Sequence, residues 1–370
     1  MSESRKWGKV GKVAIISLTL ILLGAGIAYN RTDIGEASAK YEQNRDAAKK
    51  AGLSFSASDV MVYYTVPDAD NGAEFLTDRV LKMGNSSRIY DALTQSDDQF
   101  LHEWGHIEPL VREVQKACLR GHILFKRDFR KPYLVEFAEL VYVRSWVKVL
   151  GHRFRIASRR NDLQTAQMIL LTAVNLTVLT GDDLGWLPIL ARNNNGSNIT
   201  RDIQYSLTLH SESKPWLELY DQTLKHFKRP YPWRDTVRAE HWFMMWICRA
   251  LEQGDLTQLG YTSKTPEPQK QRNLRHIPRL MRATESRFNQ ISVDLLNAIP
   301  EGSQDFASAI PKFESVNHEI NGGGLSFYVV KQYLPDFAWI AKKLVEEQVK
   351  RKGLEAEIAR LRALPAASGE

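Results

Sequence analysis

The stretch FLHEWGHIEPL, residues 100–110, contains His102-Glu103-x-x-His106. Histidines four apart on a helix share one face and can hold one zinc ion. The glutamate between them then activates a water for peptide hydrolysis, and a third protein ligand arrives from further along the chain. On that reading His102 and His106 are the metal ligands, Glu103 is the general base and Glu136 or Glu139 closes the site. The cofactor would be zinc and the activity that of a membrane-tethered metallopeptidase.

The surrounding residues weigh against it. At about 100° per residue, Phe100, Trp104, Ile107, Val111, Val114 and Cys118 fall in one narrow stripe, the face such a helix must bury. His102 and His106 lie almost opposite, in a row continued by Pro109, Glu113, Lys116 and Arg120. Pro109 cannot donate to the Gly105 carbonyl, which predicts a kink inside the motif. Neither Glu136 nor Glu139 belongs to a Glu-x-x-x-Asp. The sequence therefore favours surface histidines, with no catalytic residue and no cofactor.

Other chemistry is less well supported. Ser145-Trp-Val-Lys148 and Ser211-Glu-Ser-Lys214 fit Ser-x-x-Lys, but no Lys-Thr-Gly accompanies them. A di-iron bundle needs two Glu-x-x-His pairs, and Glu103 to His106 supplies one. No nucleotide fingerprint is present. The aromatic group Trp233, Trp242, Phe243 and Trp246, beside Glu240 and His241, has the spacing of a core stripe. One binding pattern stands out. Arg272, Arg275, Arg279 and Arg282 recur every three or four residues in QRNLRHIPRLMRATESR, a guanidinium row suited to phosphate or carboxylate groups on lipid, wall polymer or an acidic partner.

The elements that must position these residues begin with a membrane signal. Val13 to Asn30 carries no charge, close to the length that spans hydrocarbon as a helix. Arg5, Lys6, Lys9 and Lys12 precede it against Glu3, so the N-terminus is expected in the cytoplasm and the body outside, in the inner membrane as a single-pass protein. A cleaved signal is the rival reading, with Gly26 and Ala28 as small residues near a cleavage point. Cys118 and Cys248 sit in apolar helical surroundings and are expected as buried free thiols. The net charge of +7 is moderate and does not point to nucleic acid.

The rest reads as an all-α, multi-helix body. The organisation expected is a basic tail (1–12), an anchor (13–30), a stalk and lead-in (31–66), a helical body (67–261), a linker (262–272) and a C-terminal helical region (273–370). Val60–Val66 is β-rich and predicts a short extended lead-in. Ser96-x-x-Gln99 is a capping box. Residues 132–160 predict a long helix. DLQTAQMILLTAVNLTVLTG (162–181) is a core helix by its Gln and Asn content, RNNNGSN a loop and NGGG (321–324) a second loop. Leu344, Val349, Leu354, Ile358 and Leu361 form a seam that could meet a partner helix or a second copy through 334–364, or pack back on the body.

KKAGLSFSASDVMVYYTVPDADNGAEFL, RNDLQTAQMILLTAVNL and VRAEHWFMMWICRALEQG, in that order, resemble a loose group of single-anchor, all-helical bacterial envelope proteins of uncharacterised role. The likeness covers roughly residues 10–255. It implies a short N-terminal span and a helical body, and it supplies no activity and no catalytic residue. The function expected is accordingly an extracytoplasmic scaffold or interaction protein, with the metallopeptidase and a binder of anionic lipid or wall polymer as alternatives.

Overall fold

The computed structural model describes residues 25–130, 137–253, 278–299 and 305–364. Among them the chain is helical, with no strand; Asn71 and His122 form an isolated bridge. A helix over residues 25–39 (α1) leads into α2 (Tyr41–Lys50), α3 (Ala57–Tyr64), α4 (Asp78–Met83), α5 (Ser87–Ala92) and α6 (Asp97–Cys118). Next come α7 (Ala138–Arg159), α8 (Leu163–Thr180), α9 (Trp186–His210), α10 (Lys214–His226) and α11 (Trp233–Gln253). The last four are α12 (Pro278–Ala298), α13 (Phe306–Gly322), α14 (Ser326–Tyr333) and α15 (Phe337–Ala363).

Local chemistry sets the ends. Ser96 and Gln99 close the predicted capping box at the start of α6. Asp162, Asp305 and Asp336 each accept from the backbone N–H three residues on, at the starts of α8, α13 and α15. α7 begins at Ala138, so the first residues of the helix expected over 132–160 fall outside the described ones. The linker at 262–272 and residues 13–24 of the expected anchor fall outside them too, while 25–30 are helical.

Three expectations meet a different structure. The β-rich lead-in is α3: Ser56 and Asp59 form a reciprocal capping box, and the turn it starts buries Val60 and Tyr64. Capping and burial there outweigh the weaker preference of Val and Tyr for strands. RNNNGSN is not a loop but the middle of α9, where Asn193, Asn195 and Gly196 are buried. The expected kink at Pro109 does not divide α6, which runs unbroken through it.

The buried side chains form two apolar cores. One gathers Phe100 and Trp104 of α6, Trp146 and Phe154 of α7, the inner face of α8, and Trp216 and Tyr220 of α10. The other gathers Trp233 and Met245 of α11, Phe288 of α12, Phe306 and Phe313 of α13, and Phe327 of α14. Two long helices enter both. α9 gives Ile189 to the second core and Ile199 and Ile203 to the first; α15 gives Phe337, Ile340 and Leu344 to the second and Leu354 and Ile358 to the first. α8 is long and apolar enough to cross a membrane, yet 61% of that stretch is buried and α6, α7, α9 and α10 pack around it, as a core helix requires. Cys118 and Cys248 are buried free thiols.

Where α9 and α15 cross, the contact is polar. Glu347 on α15 accepts from the Thr200 hydroxyl at 2.9 Å and from Arg351 Nε at 3.3 Å. The Arg351 guanidinium lies 4.1 Å from the centre of the Phe227 ring and against Gly196 of α9. A Cβ on Gly196 would stand 2.4 Å from Arg351 Nη2, closer than any real contact. Gly105, on the wet face of α6, has nothing within 4 Å of its Cβ position. Gly196→Ala is therefore expected to destabilise the fold by about 1–3 kcal/mol through overpacking, despite the better helix propensity of alanine. Gly105→Ala should stabilise it by about 0.5–1 kcal/mol. Urea midpoints of the two variants against the parent check the opposite signs.

Candidate functional site

The His-Glu-x-x-His motif occupies the second turn of α6. Phe100, Trp104, Ile107 and Val111 are buried on one side of that helix, and His102 and His106 are exposed on the other. The two rings lie edge to face, with centroids 5.2 Å apart. One ligand atom each from His102, Glu103 and His106 lie within 4.8 Å of one another, a three-donor group on the surface. Its row continues through the ion pairs Arg112–Glu108 and Lys116–Glu113, which are largely in water.

A peptidase site needs a third protein ligand and a glutamate left free to act on water. Glu139, at the start of α7, instead takes a hydrogen bond from Arg127 Nη1 at 3.0 Å. Arg127 Nη2 holds the buried Asp183 at 2.7 Å. Glu139 is thus part of a structural ion network, and among the described residues the only His, Cys, Asp or Glu group gathered for a metal is the motif itself. Glu136 lies outside the described residues. What the three donors can do chemically is chelate a divalent ion weakly from solvent.

The arginine row is divided. Arg272 and Arg275 fall outside the described residues. Arg279 and Arg282 are exposed on α12, and Met281 between them is buried. Arg282 does not stand alone: its guanidinium carbon is 5.5 Å from the centre of the Tyr41 ring, and that of Arg45 is 6.0 Å from the same ring.

Sequence reasoning missed Arg192 and met Glu240 and His241 only as neighbours of the aromatic group. Arg192 of α9 is fully buried, donates from Nη1 to the Pro230 carbonyl at 3.0 Å, and lies over the Tyr231 ring. Glu240, on α11 beside the aromatic group, accepts from the Trp186 backbone N–H at 3.3 Å where α9 starts. Burial pushes its carboxyl up to about 7, and that hydrogen bond only partly offsets the burial. Trp233, Trp242 and Trp246 are core residues, and His241 is buried between Ser54 and Asn289. The signal in the sequence was faint: single charged residues set within apolar helical runs.

No family model matches the chain, and neither a curated protein nor a solved structure matches it. The likeness over residues 10–255 therefore brings no annotated site with it.

Glu240 sets a pH dependence whose sign can be worked out. A carboxyl raised in the fold is protonated there while the unfolded chain, near the ordinary value of about 4.3, has released its proton. The native state then binds more protons between about pH 4.5 and 7, so stability falls as pH rises through that window. Glu240→Gln keeps an acceptor for Trp186 and removes the titration. The stability of the parent should drop relative to E240Q over that range, with a slope no steeper than about 1.4 kcal/mol per pH unit. Urea denaturation of both proteins at half-unit pH intervals measures it.

Proposed function

We propose that this chain is a single-pass inner-membrane protein, N-terminus in the cytoplasm, whose helical body works as an interaction scaffold on the outer side of the bilayer. The observation that carries the reading is the docking of α1. That helix emerges from the charge-free N-terminal run and is clamped to the body within one turn of its end. Asn30 accepts from the Leu325 N–H at 2.9 Å. Asp33 accepts from the Ser326 N–H at 3.2 Å, from the Ser326 hydroxyl at 2.6 Å and from Arg287 Nη2 at 3.0 Å. Ile27 and Tyr29, just before the clamp, are exposed apolar side chains.

A helix rises about 1.5 Å per residue, so Asp33 stands only about 5 Å beyond residue 30. An anchor ending there holds the body close, with the 322–326 segment at headgroup level. The surface offered to partners then includes α15, the helix expected to meet a partner helix or a second copy. On α15, Leu344, Leu354 and Ile358 pack within the cores, which leaves Trp339 and Val349 as its exposed apolar positions. The exposed Arg279 and Arg282 favour anionic groups as a second reading.

Two expected outcomes test the proposal. The full chain should pellet with membranes through high-salt washing, and removal of residues 2–24 should release a body of unchanged helical content. In intact cells, Val62→Cys, 75% exposed on α3, should react with a membrane-impermeant maleimide while the buried Cys118 and Cys248 stay silent. Labelling only after lysis, or a soluble full chain, overturns the placement. Elemental analysis of the same protein should find zinc well below one equivalent; one equivalent that disappears with His102→Ala would restore the metallopeptidase.

A further inference from the structure

Three guanidiniums from three helices meet around a cavity of about 280 Å³ with polar walls: Arg45 of α2, Arg249 of α11 and Arg282 of α12. Glu252 and Glu285 share the walls, and Asn289 of α12, 1% exposed, lines it from within. The structure gives no ion pair to Arg45, Arg249 or Arg282 among the described residues; each instead lies over an aromatic ring, Arg45 and Arg282 over Tyr41 and Arg249 over Trp242. The Tyr41 hydroxyl donates to Glu285 at 2.8 Å and fixes that carboxylate at the wall. Arginines held by ring faces, with their N–H forks unspent, are set up for a carboxylate or phosphate brought by a ligand.

Asn289 says what else the ligand must carry. As placed, its Oδ1 is 2.9 Å from His241 Nε2, and its Nδ2 has no partner in the protein. His241 Nδ1 is 2.8 Å from the Ser54 carbonyl, which can only accept, so Nδ1 carries a proton. The ring is fully buried, and burial pushes it below its ordinary range, so it is neutral and Nε2 has a lone pair. The amide NH₂ must then face Nε2, since an amide has the same shape either way round. Turned that way round, the amide leaves its carbonyl oxygen in the unpartnered place. A buried carbonyl oxygen without a donor is costly, and a ligand N–H would satisfy it.

The cavity thus offers an acceptor group, made by Asn289 with Glu252 and Glu285, and a donor group of three arginines. Three cations against two carboxylates leave an excess of one positive charge. We propose that this cavity binds an acidic α-amino acid, its ammonium against Asn289 and the glutamates and its two carboxylates on Arg45, Arg249 and Arg282. The volume accommodates one such molecule, and the site is independent of the bilayer.

Calorimetric titration of the full chain in detergent, with L-glutamate, L-aspartate, glutarate and inorganic phosphate as separate probes, tests it. One of the amino acids should bind saturably at one equivalent, with glutarate and phosphate at least tenfold weaker because they lack the ammonium. Arg249→Ala, an exposed position, should weaken that binding at least tenfold with the ligand-free Tm unchanged. Should that variant fail to fold, Arg282→Gln serves the same purpose. Absence of binding by both amino acids, equal binding of glutarate or phosphate, or unchanged affinity in folded Arg249→Ala and Arg282→Gln overturns the assignment.

Discussion

A buried arginine that keeps its charge must find carboxylates, carbonyls or ring faces inside the protein, because the desolvation of an unpaired guanidinium far exceeds what packing returns. That constraint governs the line along which α9 and α15 cross. Arg351 of α15 takes Glu347 and the Phe227 face, Glu347 in turn takes Thr200 of α9, and Arg192 ties α9 to the α10–α11 connection through the Pro230 carbonyl and the Tyr231 face. Apolar packing tolerates sliding of one helix along another, whereas each of these pairings is satisfied at one register only. Both helices feed both cores, so the polar crossing also sets how the two cores face each other. The cost is narrow tolerance: Gly196 must have no side chain so that the Arg351 guanidinium can lie against α9.

The same constraint explains where sequence reading succeeded and where it stopped. A periodic apolar stripe placed α6, and a long, nearly continuous apolar run placed α8, because burial is a local pattern that the sequence displays directly. The solvated position of His102 and His106 followed from that stripe. RNNNGSN misled because asparagine and glycine are turn formers on their own. In α9 they serve a tertiary purpose: Asn193 Nδ2 donates to the Lys343 carbonyl at 3.4 Å, and Gly196 makes room for Arg351. Both partners lie about 150 residues away in sequence, and no local window contains them. α3 failed differently, since the Ser56–Asp59 box was present in the sequence but was outweighed in reading by the valines and tyrosines after it.

Site chemistry was less legible than fold for a related reason. A motif such as His-Glu-x-x-His is contiguous and draws the eye, yet the helix that carries it turns it toward water. The groups with perturbed protonation or unspent hydrogen-bonding capacity are assembled from distant segments: Glu240 with Trp186, His241 with Ser54 and Asn289, Arg45 with Arg249 and Arg282. Among the described arginines of the row, Arg282 joins such an assembly, and it does so with cations from α2 and α11. Spacing along one helix could not have revealed that.

α12 connects these observations into one mechanical line. Its Arg287 holds Asp33 of α1, its Ser286 accepts from Asn44 Nδ2 of α2 at 3.0 Å, its Glu285 accepts from Tyr41, and its Asn289 holds His241 of α11. Three of these contacts, from the consecutive residues 285–287, thus fasten the N-terminal helices to α12, and the fourth ties α12 to α11. α1 and α2 have few apolar residues of their own to bury: Ala37 and Ala48 are the fully buried apolar ones among their described residues. Their attachment therefore depends on directional polar contacts more than on area, and a few hydrogen bonds and one ion pair contribute only a few kcal/mol between them. A molecule bridging α2 to α11 and α12 adds to that small total directly, so occupancy of the cavity and seating of the N-terminal helices are linked quantities: whatever strengthens one strengthens the other by the same free energy.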